Sequence, residues 1–192
     1  MWTMDKAIRE AARFIKSEST LFASGDSYKG AYLTDDAANT LKNELMESIN
    51  NKIIELATSR RLLWTTEELT TIDVNGLAYN FLAIKSIKDK NGDKVSWTMG
   101  EDGIIKCLSR DTDIKTVSYY YVPEVITSVN DEIPIPESRL QPIIFSYWAA
   151  FMHYQINRKY DKASYWLSLY TALEEKIHAG DILDNNHVGQ GW

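Results

Sequence analysis

The chain has 192 residues, 44% hydrophobic and 11% aromatic, and a net charge of -6. That suits one core, or one core carrying an insertion, and argues against two independent enzyme domains. The acidic balance disfavours a protein that grips nucleic acid through its phosphates. The lone cysteine, Cys107, rules out an internal disulfide, and no apolar run approaches the ~20 residues of a membrane span. The N-terminus turns charged at Asp5 and Lys6 and builds no secretory segment, so the expectation is a soluble protein folded in a reducing cytosol.

Met4, Ile8, Ala11 and Ile15 recur at helical spacing and predict an amphipathic helix over about residues 3–16. Residues 17–33, with Gly25 and Gly30, read as a loop. Thr34, Asp35 and Asp36 form a helix start, a capping hydroxyl with acids at the positive end of the macrodipole. The long helix expected over 34–61 carries the stripe Leu41, Leu45, Ile49, Ile53 and Leu56 and ends on Arg60 and Arg61.

Beyond Leu63 the pattern changes to short Thr, Val, Ile and Tyr runs between turn residues, which predicts strands near 67–74, 80–88, 94–99, 104–109 and 114–122. Asn75-Gly76 and Asn91-Gly92 are hairpin signals of the type I prime class. Residues 63–136 hold twelve acids against seven bases, so the middle of the chain is its acidic part. Ile133-Pro134-Ile135-Pro136 is extended, and Pro136 is placed to open a helix over 137–157. In that helix Leu140, Ile143, Ile144, Tyr147, Phe151 and Tyr154 form one apolar face, and Phe145, Trp148 and Met152 a second. Asp161 caps a final helix over 161–179, with Trp166, Leu169, Tyr170, Leu173 and Ile177 as its stripe and Gly180 as its stop. The two make an αα-hairpin. Residues 180–192 read as an extended tail.

The fold class expected is therefore α+β: a helical core, the long helix plus a C-terminal αα-hairpin, with a small antiparallel sheet or sandwich inserted over about 63–135, all in one domain of residues 1–192.

No residue set supplies catalytic, cofactor or metal chemistry by spacing. His153, His178 and His187 have no partners at ligand spacing, and the phosphate-binding glycine loop, the paired cysteines and Gly-x-Ser-x-Gly are missing. His153 reads as a packed helix residue, His178 as a complement to its helix dipole, and Cys107 as an apolar filler. Two carboxylates converging across a cleft leave no local signature, so a hydrolase stays open at this stage. Trp64 and Trp97 could stack on sugars or bases, whereas Trp148 and Trp166 fall on core stripes.

Four stretches in order resemble the head-to-tail connector proteins of tailed bacteriophages, the adaptors that ring the underside of the portal. They are the helix end Ile49 to Ala57, the strand Phe81 to Asp89, the segment Val117 to Val122 followed by Asp131 to Glu137, and the helix start Tyr160 to Trp166. The resemblance covers about residues 35–179; the N-terminal helix and the 17–33 loop depart from the family pattern. It implies a non-enzymatic structural virion protein of the neck, made in the host cytoplasm, that joins capsid to tail and lines the channel for DNA packaging and ejection. It also implies its partners: identical copies in a ring, twelve in the relatives, the portal protein, a next neck or tail protein, and double-stranded DNA in transient non-specific passage, with no cofactor and no membrane.

On that basis Phe145, Trp148 and Met152 are the candidate subunit interface. Asp181, Ile182, Leu183, Val188 and Trp192 are the candidate portal-docking tail, and Glu101, Asp102, Asp111 and Asp113 the candidate acidic lumen, which would let DNA slide. The alternatives are a cytosolic helical interaction module, since Tyr160 to Ala172 also resembles a tetratricopeptide helix, and a small hydrolase or glycan-binding domain. No 34-residue recurrence supports a repeat protein.

Overall fold

The structure, a computed structural model, describes residues 2–23, 30–100, 102–107 and 115–185, the last eight as main chain only. It is an α+β fold in two compact units: 1–55 with 125–192, and 56–124, which interrupts the first in sequence.

The first unit is helical. Helix α1, Met4–Phe14, starts where the Thr3 hydroxyl accepts from the Lys6 N–H, and it buries Met4, Ala7, Ile8, Ala11 and Ala12 completely. The segment expected to be a plain loop instead contains a short helix α2, Glu18–Leu21. Phe22 then bridges Tyr32, and Leu21 and Phe22 are buried, which gives that excursion its own apolar anchor.

Helix α3, Asp36–Arg60, buries the expected stripe of Leu41, Leu45, Ile49, Ile53 and Leu56. Helix α4, Ile143–Ile156, begins six residues later than the 137–157 expected. The cause is a second proline. Pro142 disfavours helical backbone at Gln141 and has no N–H to donate, so residues 137–142 remain in turns and Pro142 itself caps the helix. Helix α5, Tyr160–Asn185, packs on α4 as the predicted hairpin and runs past Gly180, which keeps helical backbone instead of the left-handed conformation that would end it. Residues 181–185 of the expected extended tail are therefore helical.

Helices α1 and α4 run parallel: the Ser146 hydroxyl donates to the Ala7 carbonyl (2.9 Å), and the Tyr154 hydroxyl to that of Phe14 (3.4 Å). The start of α1 is tied to the chain before α4 by backbone bonds from Met4 to Asp131, Asp5 to Val129 and Ile133 to Trp2. The N-terminal helix, absent from the family pattern, is thus built into this core.

The second unit holds two three-stranded antiparallel sheets, ordered β1-β6-β3 and β2-β5-β4. The strands are β1 Trp64–Leu69, β2 Ile72–Asp73, β3 Asn80–Lys88, β4 Trp97–Met99, β5 Ile104–Cys107 and β6 Lys115–Val122. Ile72 and Ile105 from one sheet and Ile87, Val117 and Tyr119 from the other share one buried cluster, against which Cys107 packs as the expected filler.

Neither Asn-Gly pair forms a type I prime turn. Asn75-Gly76 lies in a 3-10 turn whose N–H at Asn75 is capped by the Asp73 carboxylate. At Asn91-Gly92 only Gly92 has positive φ (86°). The Gly92 N–H donates to the Asp89 carbonyl, and the Asp89 carboxylate accepts from the N–H groups of Asn91 and Asp93. That side chain makes a type I turn with a glycine bulge the better solution. The same hydrogen bonds hold the Asp89 carboxyl below its usual range.

Gly103 sits at φ +79°, where a Cβ would stand 2.8 Å from Asn75 Nδ2 and 3.1 Å from a Val74 methyl. Gly103→Ala is expected to destabilise the second unit by about 1–3 kcal/mol, through left-handed backbone and displacement of the capped turn. A urea denaturation midpoint measures this; an unchanged midpoint would mean that the turn adapts freely.

Candidate functional site

Without a ligand-spaced cluster in the sequence, the surfaces with functional potential are those the resemblance singled out and those that only the folded chain creates. Among the described residues no group of His, Cys, Asp and Glu is arranged to hold a metal ion, and no helix is long and apolar enough to cross a membrane.

The second apolar face of α4 is largely consumed by its own subunit. Phe145 is 0% exposed and belongs to the core, so its assignment to a subunit interface is corrected. The reason is that α4 is apolar on nearly all sides and is covered by α1 and α5, while side chains of α3 reach it as well. Trp148 is partly buried, with its ring 5.0 Å from those of Phe151 and Tyr170. Lys52, 3% exposed on α3, holds its ammonium 3.7 Å from the Trp148 ring and 4.6 Å from the Tyr170 ring, while both Glu55 carboxylate oxygens accept from it at 2.8 Å. A desolvated cation over an aromatic face is worth about 2 kcal/mol, which helps offset the cost of taking the ammonium out of water. Met152 is partly buried and retains an accessible edge.

His153 meets Glu44 of α3 at 2.8 Å from its Nδ1, so its partner is a carboxylate in the same subunit, consistent with a packed helix residue. Arg9 forms another internal polar group. It pairs with Asp5 at 2.7 Å, donates to the Gly30 carbonyl and lies over Phe22 and Tyr32, whose hydroxyl donates to Asp5.

Burial first, then the Asp5 charge and hydrogen bond, push the Tyr32 phenol up from 10.0, and burial with Glu67 does the same for Tyr119, which donates to that carboxylate. A phenol whose folded pKa is raised stabilises the fold fully below the unfolded value and loses that contribution as pH climbs above it. Unfolding midpoints should therefore hold to about pH 10 and fall beyond it as the unfolded chain ionises. Tyrosinate absorbance during an alkaline titration checks this. Ionisation of every tyrosine near pH 10 with the fold intact would refute it.

Of the acidic lumen residues, only Asp102 lies within the described residues. It is exposed, and its carboxylate accepts from the Ile104 N–H; Glu101, Asp111 and Asp113 lie outside. Of the tail residues, Asp181, Ile182 and Leu183 form the last turns of α5 as main chain, and Val188 and Trp192 lie outside. In the insertion, Trp64 is 41% and Trp97 36% exposed. The Lys85 ammonium stands 3.8 Å over the Trp64 ring.

One surface escaped the sequence reading because it looked like a mere connection. The tip of the α4–α5 hairpin exposes Ile156 (59%) and Tyr160 (57%) beside Arg158, Lys159 and Lys162. Helix α4 ends there in a Schellman motif: Lys159 N–H donates to the Tyr154 carbonyl and Arg158 N–H to that of Gln155, with Arg158 at φ 56°. Glycine usually fills that position, and a side chain there costs about 1–2 kcal/mol.

No family model matches the chain, and no curated protein matches it.

Proposed function

We propose that this chain is a structural protein of the tailed-phage neck, packing head to tail with identical copies into a ring beneath the portal that joins capsid to tail and encloses the DNA channel. The observation that carries this reading is the architecture itself: a helical unit closed by an antiparallel hairpin and interrupted by a small β unit, in the element order that the connector resemblance implies.

Electron microscopy of the particle neck, and the mass of the purified chain with and without portal rings, test the proposal. A ring of copies at the portal is the expected result. Failure to join any annular complex, or turnover of a small metabolite by the chain alone, would overturn it.

A second reading, a ligand-binding face on the insertion, has the exposure of Trp64 in its favour. The Lys85 cation stands over one face of that ring, so a base or sugar stacking on that face must displace it. Quenching of tryptophan fluorescence by oligosaccharides or single-stranded DNA would support this reading, and silence would remove it.

A further inference from the structure

We infer that the α4–α5 hairpin tip of one copy docks against the acidic segment 125–137 of a second copy, making a heterologous contact between unlike surfaces of the helical unit. The inference deepens the ring reading and rests on it.

The two surfaces are opposite in charge. The tip, residues 155–162, carries Arg158, Lys159 and Lys162 against one acid, Asp161, in a chain whose net charge is -6. Residues 125–137 carry Asp131, Glu132 and Glu137 and no lysine or arginine; Glu137 shares a pocket with Arg139 and Lys176, so Asp131 and Glu132 carry the contrast. Both surfaces also present apolar side chains to water: Ile156 and Tyr160 on the tip, and Val125, 58% exposed, on the acidic segment. Asp131, Glu132 and Glu137 are themselves exposed.

Within one copy the two cannot meet. Backbone bonds fix Val129, Asp131 and Ile133 to the start of α1, which runs parallel to α4, so Asp131 and Glu132 lie at the N-terminal end of α4. The tip is the C-terminal end of that helix. Fourteen helical residues place the two ends about 20 Å apart. Each copy therefore offers a basic apolar knob at one end and an acidic surface at the other. Repeated association of unlike ends produces a closed ring when the rotation closes and a filament when it does not.

Sedimentation of the full chain over a concentration series, at low and high salt, is the test. The expected result is self-association that weakens with salt. K159E/K162E and, separately, D131K/E132K should each weaken it roughly ten-fold or more, and an equimolar mixture of the two variants should restore association, because both contacts between unlike variants, the native pair and the charge-reversed pair, are then complementary. Circular dichroism identifies any variant that fails to fold; in that case K159A/K162A and D131A/E132A, which should weaken association less but in the same direction, decide the matter. Association indifferent to all these changes overturns this contact while leaving the ring reading to the neck images. A wild-type chain that stays monomeric at every concentration and salt, or one that binds phosphatidylserine vesicles through the tip without self-associating, also overturns the contact.

Discussion

Phe145→Ala is expected to destabilise the helical unit by about 3–5 kcal/mol, against a total stability of about 5–15 kcal/mol for a domain of this kind. Phe145 is wholly buried on α4, and nearby Ala149 and Ala150 are buried and too small to fill the space that its ring would leave. The cavity would therefore persist, and residual cavity volume adds to the lost transfer energy. Chemical denaturation monitored by circular dichroism measures the effect. Met152→Ala, at a partly exposed position on the same helix, should cost much less. The comparison separates core from interface: a residue that served only an interface would leave the stability of a dilute monomer unchanged. A Phe145→Ala loss below about 1 kcal/mol would contradict its place in the core.

Asn50→Ala is the second large effect, about 2–5 kcal/mol. Asn50 is 6% exposed on α3, and its side-chain amide donates to the Ile126 carbonyl while its Oδ1 accepts from the Ile126 N–H, both at 2.9 Å. The side chain acts as a short piece of strand, satisfying both polar groups of a buried residue in an irregular segment. Alanine would leave donor and acceptor buried without partners, and each such group costs about 1–3 kcal/mol. Amide exchange at Ile126 should accelerate in the variant. Asn50→Asp preserves the acceptor for the N–H but loses the donor and buries a charge, so it should also destabilise the fold. An unchanged denaturation midpoint for both variants would show that the pair contributes nothing.

These two positions show what patterning can and cannot reveal. Local periodicity places α1, α3, the hairpin and most of the strands, because a 3.6-residue apolar repeat and short β-branched runs are properties of neighbouring residues. The buried stripe of α3 and the deep residues of α1 follow from that alone. Asn50 gives no such sign: its partner is 76 residues away, and a polar residue in the middle of a helix reads as a solvated one.

The connector resemblance led to the second face of α4, but which faces of an all-round apolar helix remain free depends on how many neighbours reach it. Side chains from α1, α3 and α5 all do, so Phe145 went to the core and Trp148 to the Lys52 cage. The hairpin tip was hidden for the opposite reason, since a three-residue connection has no periodicity to interpret. Its exposed Ile156 and Tyr160 become meaningful only when their surroundings in three dimensions are known.

Composition and periodicity by themselves determined the α+β class, the order of the four longer helices around a β insertion and the absence of ligand-spaced residues, because each is encoded in residues close together along the chain; the short α2 and the split of the strand expected over 67–74 into β1 and β2 were not legible there. Tertiary structure alone decided which faces of α4 are covered, which polar groups are buried in pairs, and that basic and acidic surfaces occupy opposite ends of one helix. Those depend on contacts between residues far apart in sequence, where burial and geometry outweigh local preference.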